Sequence, residues 1–274
     1  MMSFRRKLLV ATLAAPVLLY TAYCTTLALV QRSIVFEAQP PRDSLPAEPI
    51  WIEADGARVE LRWHPSGDTS GIAGLFLHGN RELIDEWPLS VEDWNRRGVS
   101  VLQMEFPGYG HSIGKGSSQA RLRAVSAAAY DWLARQPGVR AERIFAAGRS
   151  LGGGIACDLA LVRPMGGLFL QSTFRSIRDR GVRLYKVPSF IILDPYDNVT
   201  ALRTYKGPVL AMHGTADAKI PFEDLAALQE AAPHMRKVVF PGYHHSDIPG
   251  PDTLLYWSAV DSFLTDLKSN PAAR

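Results

Sequence analysis

The pentapeptide Gly148-Arg149-Ser150-Leu151-Gly152 constrains this chain more than any other stretch. The apolar run Ile144-Phe145-Ala146-Ala147 leads into it and the helix-compatible run from Gly153 to Leu161 leads out. A serine therefore stands between a short strand and a helix. A turn that sharp holds the serine in strained backbone angles, and side chains two positions to either side would collide, so glycine is needed at both. The hydroxyl is then presented at a helix N-terminus, whose N–H groups and dipole favour developing negative charge. A glycine-rich loop capping a buried helix would carry the same pentapeptide, so the rest of the chain has to decide between them.

A nucleophilic serine needs a base, and the base needs an acid to fix its tautomer and stabilise the imidazolium. On an open α/β sheet such groups belong just beyond the carboxyl ends of strands. Pro208 to Met212 reads as a strand and runs directly into His213-Gly214-Thr215-Ala216-Asp217. Lys237 to Phe240 reads as the next, followed by Pro241-Gly242-Tyr243-His244-His245-Ser246-Asp247. Serine, acid and histidine thus follow one another in the order Ser150, Asp217 and the His244-His245 pair, the order of strand–turn–helix hydrolases. Asp194 and Asp197 lie in a turn-rich segment with no strand before it, where they read as loop-stabilising residues. Asp224 falls at the start of a helix, where acidic residues are favoured for the dipole alone.

On these residues the chain resembles α/β-hydrolase-fold serine hydrolases. It is most similar to the short-capped, membrane-anchored branch that includes bud-emergence-type hydrolases and depalmitoylase-like proteins. The matching segments are Leu75 to Asn80, Glu105 to Ser112, the Ser150 elbow, Gln171 to Ile177, His213 to Asp217, and Gly242 to Ile248. In that branch the catalytic histidine is commonly followed by Asn-Asp, and here His245 is followed by Ser246-Asp247. The resemblance therefore selects His245 over His244 as the base. It implies a mostly parallel eight-stranded sheet with helices on both faces and a small cap. It also implies an acyl substrate, either a small molecule, a lipid-like ester or thioester, or an acylated protein.

Such a site must also hold the tetrahedral oxyanion on N–H donors. The residue after the nucleophile, Leu151, supplies one, and the loop after the third strand supplies the other, with Asn80 preferred and Arg81 next. His78 and His213 read as braces for the oxyanion loop and the acid loop. His111 lies in a glycine-rich loop near the expected pocket, and His64 and His234 read as surface residues. None of the seven histidines forms an H-E-x-x-H or a carboxylate-flanked cluster, so no metal site and no cofactor are expected.

The other end of the chain bears on location. Leu8 to Val30 is a run of 23 residues without a charge, preceded by Arg5-Arg6-Lys7. At 1.5 Å per residue it would span about 34 Å, enough to cross a hydrocarbon core of about 30 Å. A cleaved signal peptide, the alternative, would have a shorter apolar core and a better exit site than Thr26-Leu27-Ala28. The basic triplet predicts a cytoplasmic N-terminus with the hydrolase domain across the membrane, periplasmic if the source is Gram-negative. Residues 1–32 carry four basic and no acidic groups, leaving 26 basic against 27 acidic in the remainder. The pI of 8.9 thus belongs to the anchor, and no basic patch points to nucleic acid. Cys24 falls in the apolar run and Cys157 in the helix after the serine, so no disulfide is expected.

The predicted organisation is a basic stub and transmembrane anchor over 1–31, a proline-rich linker over 32–49, and one catalytic domain over 50–270. Strands are predicted over 50–54, 59–63, 72–77, 99–104, 144–147, 167–171, 208–212 and 237–240. Helices are predicted over 83–96, 118–135, 151–162, 222–231 and 252–268. Early adjacent strands followed by strand–helix alternation imply the mostly parallel sheet. Residues 172–207 are the room for a cap, with a short basic helix over 175–183. Beside an ester or thioester hydrolase, a peptidase of related fold and a non-catalytic anchored scaffold are the alternatives.

Overall fold

The computed structural model describes residues 4–269 apart from residues 43, 46, 47 and 88. A 32-residue helix, α1 (Phe4–Val35), comes first. It runs past the expected boundary at residue 31, and part of the linker expected over 32–49 lies outside the described residues. Two strands follow, β1 (Ile50–Ala54) and β2 (Ala57–His64), then β3 (Ala73–Leu77), α2 (Val91–Asn95), β4 (Ser100–Met104), β5 (Ile113–Gly114) and α3 (Gln119–Leu133). The second half is β6 (Ile144–Arg149), α4 (Leu151–Leu159), β7 (Gly167–Gln171), α5 (Ile177–Tyr185), α6 (Asn198–Thr204), β8 (Val209–Gly214), α7 (Glu223–Ala231), β9 (Arg236–Phe240) and α8 (Thr253–Ser269).

The sheet order is β1-β2-β4-β3-β6-β7-β8-β9, eight strands on one path, with the two-residue β5 added at the side of β2. β1, β2 and β4 pair antiparallel, and from β4 onward every pairing along the path is parallel. The central strands are buried on both faces, so they read as continuous apolar runs. Their alternation still sorts side chains to two cores. In β3 and β6, Leu75 and Ala146 join the core beneath α3, α4 and α7, while Phe76 and Phe145 join the one beneath α2 and α8.

Ser118 caps α3 by accepting from the Arg121 amide, and Ser176 caps the cap helix α5 by accepting from that of Asp179. The helix predicted over 83–96 is corrected: only Val91–Asn95 is helical, residue 88 lying outside the described residues. The Glu82 and Glu86 carboxylates accept from the amides of Gly79 and Leu83, so they close two local turns there. α6 (Asn198–Thr204) is a helix that the expected elements do not include. Asp197 caps it, accepting from the Thr200 amide, which accounts for one of the two acidic residues read as loop-stabilising.

Candidate active site

Ser150 sits between β6 and α4 with φ 52° and ψ −113°. Its amide donates to Gln171 O at 2.9 Å, and Thr173 Oγ1 donates to its carbonyl at 2.8 Å, so a neighbouring backbone carbonyl and a side-chain hydroxyl hold the strained turn from both sides. Both glycines are sterically required. A Cβ on Gly148 would fall on the Gly152 carbonyl, and one on Gly152 would fall on the Leu77 carbonyl of β3.

Three far-separated side chains meet at this turn. His245, in the loop after β9, places Nε2 3.0 Å from Ser150 Oγ, and its Nδ1 lies 2.7 Å from Asp217 Oδ2. His244 points elsewhere: its Nδ1 lies 2.9 Å from Ala216 O, and Asp247 Oδ2 accepts from its amide. Asp217 follows β8, and its other oxygen accepts from the amides of Lys219 and Ile220, both at 2.8 Å. Burial alone would raise the Asp217 carboxyl, but hydrogen bonds from His213, His245 and the Ile220 amide outweigh it. They hold the group well below the usual carboxylate range. The acid is thus a fixed anion with one face turned to the imidazole.

His213, read from sequence as a brace, has a definite contact. Its Nε2 lies 3.0 Å from Ile220 O and 3.4 Å from Asp217 Oδ2, so one N–H serves the acid loop and the acid itself. Asp224 is 1% exposed and ties the cap to the domain, accepting from the Arg175 amide and lying 3.6 Å from Arg183. His64 is half-buried at the end of β2, where it meets Gln103, and His234 is exposed. His111 lines a separate small cleft beside Glu60 and Glu105. Cys157 is buried and unpaired, and burial pushes its thiol up, so it behaves as a small apolar residue.

Leu151 and Asn80 line the same cavity as Ser150, and Arg81 does not. Leu151 opens α4, where first-turn amides have no intrahelical acceptor. The Asn80 side-chain oxygen is taken, accepting from the Glu37 amide and Tyr109 Oη, both at 2.8 Å. Its side-chain NH₂ faces Ile34 O at 3.5 Å, so both ends of the side chain point to neighbouring segments. The loop is braced from below. Arg149 reaches Glu82 at 2.9 Å, and Glu82 in turn accepts from the Gly79 amide, so the second residue of the elbow fixes the loop after β3.

His78 lies beneath that loop, with Nδ1 2.8 Å from Gly79 O and Nε2 2.7 Å from Glu105 Oε1. Both ring nitrogens face acceptors, which is the environment of an imidazolium. Burial by itself would lower its pKa, but the Glu105 carboxylate outweighs this and raises it above 6.5. A raised value in the folded state contributes stability that is complete below the unfolded pKa and is lost as pH rises through the folded one. The urea midpoint of the native chain should therefore exceed that of His78→Gln most at mildly acid pH, with the gap closing as the solution becomes alkaline. A gap that widens with pH would mean the ring is held neutral.

Among the described residues, no group of three or more His, Cys, Asp or Glu is placed to hold a metal ion. The arrangement has the parts that acyl transfer uses: a hydroxyl, an imidazole in contact with it, a fixed carboxylate behind the imidazole, and a cavity that Leu151 and Asn80 line together with Ser150.

No family model matches the chain. It is 34% identical over 213 residues to the uncharacterized protein Rv2307c of Mycobacterium tuberculosis, covering 74% of this chain and 73% of that one. It is 28% identical over 251 residues to the alpha/beta hydrolase domain-containing protein WAV2 of Arabidopsis thaliana, covering 82% and 80%. Among solved structures it matches the esterase Pf2001 of Pyrococcus furiosus at a TM-score of 0.65 and 18% identity, over 84% of this chain and 98% of that one. Est1E of Butyrivibrio proteoclasticus, solved with ferulic acid bound, matches at 0.64 and 18% identity, over 80% and 98%. At that identity the two esterases share the fold. The chain belongs to the α/β-hydrolase family.

Proposed function

We propose that the protein is a membrane-anchored serine hydrolase that cleaves carboxylic esters or thioesters of acyl groups. The observation that carries this reading is the unbroken contact chain Ser150 Oγ, His245, Asp217 Oδ2, at the edge of a predominantly apolar cavity. His245 Nε2 takes the Ser150 proton as Oγ bonds to the substrate carbonyl carbon, and Asp217 holds the ring with its other proton on Nδ1. The carbonyl oxygen becomes an oxyanion facing the Leu151 and Asn80 amides. The tetrahedral species collapses as His245 returns the proton to the departing alkoxide or thiolate. Water, deprotonated by the same imidazole, then releases the acid and restores Ser150.

α1 is the one helix among the described residues long and apolar enough to cross a membrane. We take it as an uncleaved anchor with the basic triplet on the cytoplasmic side and the catalytic domain opposite. Similarity to the depalmitoylase-like branch adds fatty-acyl thioesters to the candidate substrates. A panel of p-nitrophenyl esters of increasing chain length, run beside acyl thioesters and peptide anilides, tests the reading. Ester or thioester turnover with inert anilides is the expected result. Turnover of anilides alone would make the protein a peptidase, and an inert folded chain would make it a scaffold.

A further inference from the structure

The cavity beside Ser150 is walled on one side by α1 itself. It has a volume of about 230 Å³, and Leu27, Ile34 and Val35 of α1 line it together with Ile177 and Leu184 of α5 and with Val187. Polar contacts fasten the helix to the cap. Tyr20 Oη donates to Lys186 O at 2.7 Å and Tyr23 Oη to Tyr185 O at 2.9 Å. Gln31 donates to Ile191 O and accepts from the Leu193 amide, at 2.9 and 2.8 Å. Arg32 pairs with the buried Asp194 at 2.8 Å, and Asp194 also accepts from the Gln119 amide at the start of α3. Tyr20, Tyr23, Leu27, Gln31 and Ile34 recur every three or four residues, so they form one stripe along the helix. A tether that only held the domain near a membrane would need none of this.

Depth follows from length. From Leu8, the first residue after the basic triplet, to Tyr20, the first to bond the cap, there are 13 residues. They span about 20 Å, against a hydrocarbon core of about 30 Å. The cap is therefore drawn to the level of the lipid. Its side flanking α1 is built for that position: Phe190, Leu184 and Leu193 are 83%, 59% and 51% exposed, and the exposed Lys186 stands beside them, its carbonyl bonded to Tyr20. Apolar groups beside basic ones are the composition of a surface seated at the headgroup boundary.

We propose that α1 is a wall of the substrate pocket as well as an anchor. The substrate is then a long-chain acyl ester or thioester resident in the bilayer, whose chain passes between α1 and α5 to bring its carbonyl to Ser150. The acyl-chain assignment rests on the hydrolase reading above; the lipid-lined wall does not. Leu27 and Ile34 set how much chain the pocket accepts, and Gln31 and Arg32 hold them in place.

Two measurements on the full chain in nanodiscs of phosphatidylcholine and phosphatidylglycerol test this. In the first, Leu27→Trp and Ile34→Trp should lower kcat/KM for p-nitrophenyl palmitate at least about tenfold more than for p-nitrophenyl acetate, a pocket-filling effect of ordinary size. Equal losses on both esters, or none, in variants that keep the native thermal midpoint would overturn the proposal. In the second, a palmitate ester with a mid-chain diazirine is photolysed with the Ser150→Ala chain and the adducts are mapped. Adducts within residues 24–35 and 177–192 support the wall, and adducts wholly elsewhere refute it. A chain that turns over no ester yet cross-links in those segments would keep the lipid pocket and refute hydrolysis alone.

Discussion

Ser150→Ala should abolish turnover, with kcat on p-nitrophenyl esters falling by about 10⁶-fold, while the chain stays folded. The size follows from the proposed mechanism, in which the Ser150 oxygen, 3.0 Å from His245 Nε2, is the atom that bonds to the substrate. Removing it leaves the two amides and the pocket, which supply binding and oxyanion stabilisation and so a residual rate above that in water. Stability should change little, because the Ser150 backbone contacts to Gln171 and Thr173 do not involve the side chain. Rate measurements beside a thermal melt decide it. A variant that keeps even a tenth of the activity would remove Ser150 from the chemistry.

Asp217→Asn should cost about 10⁴-fold in kcat, the size of effect seen when a triad histidine is forced into the wrong tautomer. The direction follows from the hydrogen bonds. Asp217 Oδ1 accepts from the Lys219 and Ile220 amides, so an asparagine keeps its oxygen there and turns its NH₂ to His245 Nδ1. That nitrogen must then accept, and the ring proton moves to Nε2, facing Ser150, where no lone pair remains to take the hydroxyl proton. The NH₂ also meets the His213 N–H, which now donates 3.4 Å from Asp217 Oδ2, so some stability is lost too. Loss of kcat with KM nearly unchanged is the expected pattern. Activity within tenfold of the native chain would mean that the acid does not set the tautomer.

The parallel half of the fold is legible in the sequence because its central strands β3, β6, β7 and β8 are near-continuous apolar runs ending in loops with distinctive residues. The convergence of Ser150, Asp217 and His245 is legible for the same reason: strand ends on one edge of a parallel sheet lie side by side whatever their separation along the chain. Other features are written less plainly. β5 is two residues long and pairs only Ala57 and Arg58 with Gly114 and Ile113, with no periodicity to mark it. The 83–96 segment has helical spacing, but Glu82 and Glu86 spend their carboxylates on turn amides. The docking stripe of α1 is hidden because that helix is apolar on every side, so the face from Tyr20 to Ile34 has no contrast against the rest. Its signal is two tyrosines with Gln31 and Arg32, the one amide and the one charge in α1 after the basic triplet.

His213 shows a different limit. Its spacing from Asp217 is visible, but that its ring turns back to share one N–H between Ile220 O and the carboxylate depends on how the loop after β8 folds. The same holds for Asn80, whose side-chain oxygen is claimed by Glu37 and Tyr109 from two distant segments.

The decisive measurement is covalent labelling of the native full chain with a fluorophosphonate, followed by peptide mapping, beside the His245→Ala variant. Ser150 should carry a single adduct in the native chain, formed at a rate that collapses when His245 is removed. An adduct on another residue, an unlabelled folded chain, or labelling indifferent to His245 would each show that the imidazole 3.0 Å from Ser150 Oγ does not activate it.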